Sequence, residues 1–411
     1  MPSQARLLLS LLLLSAACKG RPNMPAQSMW NGSVELPEGI SVPFRMSLDF
    51  SGVNAAGFFL VGDEKTPIPE ILQEGDSVIL GFSEYSAELR LAWNGSGLIG
   101  NYLRIRSDGT KSLAVAAFPE MRVSHEPSEE PSRVSLTAGN YQVLFQRDDK
   151  VDDTTVAKFW TKDGAQYGTF IAPDGDYGLL VGEPSGRGVQ FSRFTGWQAI
   201  ALVIEPAGAS TWSGKFYAAS NPKPASFKLR PREDLNVEMP ATLRTAMKHA
   251  DAEFEFSCLS LSGETVRNTD ERFKGKALIV DFMGTWCHNC LDEAPVLQRL
   301  DDQFGGKGLA VAGLSFEISD DPVLARKNLQ LYKDRFGLTY TLLFCGSLDE
   351  ENVKKRIHSQ LDNFFAYPTA LFIAKNHKVR FIHNGFKGPG AGDEFHLQIG
   401  EFEDLTAKLL N

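Results

Sequence analysis

The sequence predicts two architectures in one chain, a large antiparallel all-β region of barrel or sandwich type followed by an α/β domain. Three observations predict this. Short strand-like runs recur from Ser33 to Leu229, punctuated by turn dipeptides such as Asn31-Gly32, Ser51-Gly52, Asn94-Gly95 and Asp108-Gly109. From Glu253 onward, apolar β-branched runs alternate with segments of helical periodicity. Between the two lies a Pro- and charge-rich passage, Pro222 to Pro240, and the 411 residues exceed what one small core organises.

The formal net charge of -9 and the lack of any basic stripe interleaved with aromatics exclude nucleic acid as a natural partner. The 5 cysteines, Cys18, Cys258, Cys287, Cys290 and Cys345, are too few for a disulfide scaffold at this length.

Taken in order, Arg6 precedes an apolar run from Leu7 to Cys18 that is too short for a membrane span, which needs roughly 20 residues, and reads as an export signal (residues 1–18). A polar tether with Pro22 and Pro25 follows at 19–29. The first β-rich unit is expected over 30–122, with strands at Ser33–Leu36, Phe44–Phe50, Gly57–Val61, Ser77–Phe82, Glu88–Trp93, Leu98–Tyr102 and Ser112–Phe118. An exposed connection at 123–136 carries Pro127 and Pro131. A second β-rich unit, or the continuation of one barrel, is expected over 137–232; the echo of Leu98–Tyr102 in Thr211–Tyr217 does not decide between them. Asp174-Gly175-Asp176 reads as a plain turn, because no glutamate completes a calcium loop. No catalytic constellation is visible in this half.

A second linker at 233–252, with a short helix expected over Ala241–His249, leads into the α/β domain at 253–411. Its expected elements are a strand Phe254–Leu261, a short helix Thr269–Phe273, a strand from Ala277 into Cys287, a helix to Phe304 and a strand Leu309–Phe316. There follow a helix Pro322–Phe336, a strand Tyr340–Phe344, a helix Glu350–Ile357, strands Thr369–Ile373 and Val379–His383, and a closing helix Phe402–Leu410.

The chemistry concentrates where a strand ends and a helix begins, at Trp286-Cys287-His288-Asn289-Cys290. Unpaired N–H groups and the helix dipole favour a thiolate there, and only the thiolate attacks disulfides. A Cys-x-x-Cys pair can also be half of a zinc site, but the chain holds neither a second such pair nor paired histidines, so a redox pair and no metal site is expected.

The segment from Glu253 to Asn411 resembles the TlpA/ResA branch of the thioredoxin family. Trp286-Cys-His-Asn-Cys290 matches its Trp-Cys-x-x-Cys site, Pro295 its helix proline, and Glu293 the acidic residue typical of the branch. Asp281 stands where thioredoxins keep a buried aspartate. Tyr367-Pro368-Thr369 matches the cis-proline loop, and Ile382 to Gly392 resembles a glycine-rich loop of a TlpA-like subgroup. The resemblance implies that Cys287 attacks the substrate disulfide, that Cys290 resolves the mixed disulfide, and that Glu293 or Asp281 accepts the Cys290 proton. Glu293 reads alternatively as a solvent-facing charge in an early helix turn. Trp286, Tyr367, Pro368 and Thr369 are implied to shape the substrate groove.

His288 is expected to tune the pair: as an imidazolium it would stabilise the Cys287 thiolate and place the potential between about -270 and about -120 mV. Asn289 reads as a helix-start polar residue. Cys258 and Cys345 are expected to be buried inert thiols rather than a second disulfide. Leu14-Ser-Ala-Ala-Cys18 resembles the bacterial lipoprotein box, with its leucine displaced by one place, so Cys18 is expected to carry a lipid. Lys19 in place of aspartate favours the outer membrane.

These readings converge on a lipid-anchored thiol-disulfide oxidoreductase on the periplasmic side of the envelope. It would reduce disulfides of exported proteins with electrons from a membrane thiol carrier, without a bound cofactor. The rival is a surface lipoprotein whose β region binds a ligand or partner and whose thioredoxin-like domain is secondary. A peroxidase fits less well, because peroxide reduction usually wants a single activated cysteine with threonine and arginine partners, whereas Cys287 is half of a Cys-x-x-Cys pair.

Overall fold

The computed structural model describes residues 24–106, 109–120, 135–147, 150–208, 211–221, 223–236, 240 and 243–410. Cys18, the export signal and most of the 123–136 connection lie outside the described residues.

Period-two alternation builds the first sheet. In β2 (Ile40–Asp49), Val42, Phe44, Met46 and Leu48 all turn inward. It belongs to an open antiparallel sheet of nine strands. The others are β1 (Gln27–Leu36), β3 (Ala56–Val61), β4 (Glu64–Pro67), β5 (Glu70–Glu74), β6 (Ser77–Phe82), β7 (Ala87–Trp93), β8 (Leu98–Arg106) and β9 (Gly109–Pro119). Strand order is β4-β3-β2-β1-β9-β8-β7-β6-β5. The strands not expected from sequence, β4 and β5, are its two edges, where a strand needs only one neighbour and no continuous apolar face.

The second block forms its own sheet: β10 (Gly139–Arg147), β11 (Lys150–Lys162), β12 (Ala165–Ala172), β13 (Gly175–Asp176), β14 (Leu180–Ser185), β15 (Gly188–Phe194), β16 (Ala199–Pro206), β17 (Trp212–Ala218) and β18 (Ala225–Arg232). β11 pairs with both β10 and β12, so the sheet closes into a barrel. Phe145, Phe159, Phe170, Phe191 and Phe227 fill it. The open sheet lies against the barrel. Phe194 at the end of β15 meets Phe44 at 4.9 Å, Phe59 at 5.1 Å and Tyr102 at 5.4 Å. Beside them the buried Arg193 guanidinium pairs with both oxygens of Glu64.

The C-terminal sheet contains β20 (Ser257–Ser260), β21 (Thr265–Arg267), β22 (Ala277–Met283), β23 (Leu309–Glu317), β24 (Thr341–Ser347), β26 (Thr369–Ile373) and β27 (Val379–Asn384), in the order β21-β20-β24-β23-β22-β26-β27. β22 and β23 are buried along their whole lengths, as strands covered on both faces must be. The covering helices include α1 (His288–Phe304), α2 (Pro322–Phe336) and α4 (Asp393–Leu410); a single turn, α3 (Glu350–Val353), precedes β25 (Leu361–Asp362).

Three local expectations change. Thr269–Phe273 is a run of turns closed by contacts such as Phe273 N–H to Asp270 O, 2.9 Å. In the described part of Ala241–His249 only Leu243 is helical, in a 3-10 turn closed by Leu243 N–H to Pro240 O, and β19 (Ala246–Met247) pairs with β25. α4 starts at Asp393 rather than Phe402, since Phe395 and Ile399 pack on the core despite a polar first turn and Gly400.

Cys258 and Cys345 are not inert thiols: they form a disulfide. β20 and β24 pair antiparallel with Leu259 opposite Phe344, which puts Cys258 directly opposite Cys345 at a Cα separation of 4.8 Å. That register is a tertiary fact, invisible in a spacing of 87 residues.

Candidate active site at the start of helix α1

β22 delivers the chain to the site and Glu317, the last residue of β23, fixes its exit. The buried Glu317 carboxylate accepts Thr285 N–H at 3.1 Å and Thr285 Oγ1–H at 2.7 Å, and Ser315 Oγ donates to it as well. Trp286 Nε1–H donates to Phe316 O at 2.8 Å. With residues 285 and 286 pinned, Cys287 becomes the N-cap of α1, and its sulfur accepts Cys290 N–H at 3.2 Å.

Cys287 and Cys290 are joined as a disulfide, their Cα atoms 5.3 Å apart. Cys287 Sγ lies 3.4 Å from Tyr367 O, where the Tyr367–Pro368 bond is cis. Thr369 is buried, and its hydroxyl donates to Ala366 O at 2.8 Å and accepts from Asn384 Nδ2 at 3.2 Å. Trp286 and Tyr367 stand edge to face, 5.6 Å between ring centres.

Behind the disulfide, Asp281 from β22 and Glu293 from α1 are buried together. Both Glu293 oxygens and Asp281 Oδ1 lack a donor among the described residues. Burial pushes Asp281 up to about 7, and burial together with the Asp281 charge raises Glu293 well above the usual carboxylate range. Two facing carboxyls without donors are satisfied by sharing one proton, so the pair titrates as a unit. Glu293 is thus not the solvent-facing helix charge that was the alternative. Tyr332 Oη–H donates to Cys290 O at 2.7 Å and anchors the second cysteine.

His288 departs from expectation. Its ring packs 5.5 Å from Trp197 of the β-rich half, and burial, with the nearby Arg193 charge, pushes its pKa down to about 3. Both effects work against the imidazolium expected to tune Cys287, while Asp292, 3.6 Å from Nε2, is the acidic group beside the ring. Sequence could not show that Arg193 and Trp197 would lie against it.

Nor is Asn289 a passive helix-start residue, since its Nδ2 donates to Asp174 O at 3.1 Å. Asp176 is buried, accepting Gly388 N–H at 2.5 Å and Gly178 N–H at 3.1 Å, so the Asp174–Asp176 segment is an interdomain contact rather than a plain turn. Asp176, His288 and Asp292 bring possible ligand atoms within 4.8 Å of one another. The Arg193 guanidinium, whose charge acts on His288 and Asp292, opposes a cation there.

Sequence reasoning missed Glu317, Asp176, Trp197 and Arg193. Glu317 had a legible signal, a lone carboxylate ending a strand whose only other polar side chain is Ser315, in an α/β domain where functional groups gather. The other three come from the β-rich half and carry none.

Residues 249–382 match the AhpC/TSA family model. Thioredoxin-like protein YneN of Bacillus subtilis is 29% identical over 131 residues, which is 32% of this chain and 68% of that protein. Thiol-disulfide oxidoreductase ResA of Geobacillus thermodenitrificans is 28% identical over 147 residues, 35% of this chain and 74% of its own. A thiol:disulfide interchange protein of the thioredoxin family from Chlorobium tepidum aligns with a TM-score of 0.30 at 19% identity, covering 40% of this chain and 100% of that one.

Proposed function

We propose that this thioredoxin-type thiol-disulfide oxidoreductase works outside the cytoplasm, held at the envelope by a lipid on Cys18, and reduces disulfides in exported proteins. The observation that carries the redox reading is the N-cap position of Cys287, where Cys290 N–H and the helix dipole both stabilise a thiolate. The Cys287 thiolate attacks one substrate sulfur; a mixed disulfide forms, and the first substrate thiolate leaves and takes a proton. Cys290 gives its proton to the Glu293–Asp281 pair and attacks Cys287 Sγ, releasing the second substrate thiolate. The substrate has gained two electrons and two protons in all, and the enzyme holds the disulfide. A membrane dithiol carrier reverses the exchange. Trp286 and the Tyr367–Thr369 backbone offer the surface along which a substrate strand pairs.

Two features support the location. The Leu7–Cys18 run ends in the lipoprotein-like box Leu14–Cys18, with Lys19 favouring the outer membrane. A cross-strand disulfide at Cys258–Cys345 belongs to an oxidising compartment. The test is Cys287-dependent reduction of insulin by the full chain with Cys287→Ser as control, and lipid incorporation that Cys18→Ser abolishes. Insulin reduction unchanged in Cys287→Ser overturns the chemistry; export without lipid incorporation overturns the anchor alone. Cys290→Ser should strand the mixed disulfide on Cys287 and identify the substrate.

A further inference from the structure

The glycine-rich stretch that ends at Gly392 and the turn after β12 explain each other. Gly175 forms a parallel bridge with Phe386, between Asn289 contacting Asp174 and Gly388 contacting Asp176. Gly175 has φ +132°, and a Cβ there would collide with Asn289 Nδ2 and the Phe386 carbonyl. Across the contact, Gly385 has φ +70°, and its Cβ would come within 2.5 to 2.8 Å of the Asp174 backbone. Both sides of this junction therefore lack a side chain where they touch.

A second contact lies beside it. Trp197 covers His288 and stacks on Tyr85 at 4.1 Å, while its own carbonyl is held by Tyr102 Oη–H at 2.8 Å. On α2, Arg335 pairs with the buried Glu84 at 3.4 Å and Lys327 with Glu70 at 3.4 Å. The two residues between the cysteines, which a thioredoxin-like site would otherwise present to solvent, are thus roofed by the β-rich half. On the side of Trp286 and Tyr367 the neighbouring chain carries exposed apolar side chains: Ile318, two residues beyond Phe316, is 40% exposed, and Phe365, two before Tyr367, is 37% exposed.

We propose that the β-rich half is a substrate filter, in which Trp197 and the 174–179 turn close the His288–Asn289 flank and admit only a disulfide carried on an extended, unfolded chain segment entering past Trp286 and Tyr367. This rests on the oxidoreductase reading of the same site and names its substrate class. A folded protein presents its disulfide on a broad surface that would have to occupy the space Trp197 and the turn already fill. A single extended strand needs only the Tyr367 side.

The test separates access from chemistry. Full-length Cys290→Ser, with Cys287 as its reactive thiol, is alkylated by one maleimide carried either on a short unstructured peptide or on a folded carrier protein. The peptide-borne reagent should react at least about tenfold faster, beyond the ratio both show with a small free thiol. Gly175→Leu, which wedges the junction apart, should raise the folded-carrier rate and leave the peptide rate within about twofold. Equal normalised rates in the parent overturn the filter, as does a folded Gly175→Leu protein with an unchanged ratio. If Gly175→Leu does not fold, Gly385→Ala wedges the same contact from the other side and is read by the same criterion. Absent insulin turnover with the alkylation ratio intact would instead remove the oxidoreductase reading and leave the filter standing.

Discussion

The two disulfides of the C-terminal domain are buried to the same degree and face opposite fates. Cys258 and Cys287 are each 5% exposed, and Cys345 and Cys290 each 1%. Exposure therefore does not separate them; surroundings do. Cys258–Cys345 ties two hydrogen-bonded strands and closes a long loop, with the Arg356 guanidinium 3.9 Å from Cys258. Cys287–Cys290 sits on a helix N-terminus, with Cys290 N–H aimed at the first sulfur and the buried Asp281 and Glu293 carboxyls behind the second. A thiol exchanges readily where its thiolate is stabilised and a proton acceptor stands by.

The largest test of this contrast is a pair of serine and alanine exchanges. Cys287→Ser should abolish turnover, while the double variant Cys258→Ala, Cys345→Ala should keep insulin reduction within about twofold, because the sites are separate. Next, Glu293→Gln should slow resolution of the mixed disulfide about 10²-fold near neutral pH, the scale of a lost general base, measured by rapid-quench trapping. Its pH profile should also change: the parent rate rises through about pH 7 as the Glu293–Asp281 pair ionises, and the variant loses that limb.

On stability, the contrast reverses. The Cys258/Cys345 double variant should lose about 2–4 kcal/mol in chemical denaturation, since the lost cross-link constrains a long loop of the unfolded chain. The buried carboxyls should act in the other direction. Their folded-state pKa values are raised, so the folded state holds protons that the unfolded chain releases above the ordinary carboxylate range. Stability should then fall as pH rises from about 4 through about 7, by up to about 1.4 kcal/mol per pH unit for each extra proton held. Glu293→Gln should flatten that slope in denaturation curves taken across the window; an unchanged slope would remove the shared-proton account.

The smallest effect is expected at His288. Because burial and the Arg193 charge lower the His288 pKa, His288→Gln should shift the redox potential by less than about 30 mV, under about 1.4 kcal/mol for two electrons. A larger fall would restore a cationic role for the ring.

The sequence by itself determined what is local. Strand alternation in Val42-Phe44-Met46-Leu48, the β22 run that is apolar but for Asp281, the helix after Cys287 and the paired cysteines three residues apart follow from spacing that any window along the chain contains. Asp281 and Glu293 entered as candidates through the family resemblance, on the strand and helix that flank the cysteines. Tertiary structure decided what depends on distant segments meeting. The β20–β24 register made a disulfide of two cysteines that read as inert, and closure of β11 onto β12 separated a barrel from an open sheet. The packing of Trp197 and Arg193 against α1 lowered the pKa of a His288 that sequence read as a cation. The physical reason is the same in each case. Propensity and periodicity act over a few residues, whereas burial, register and the electrostatic environment of a side chain are set by whichever segment packs against it.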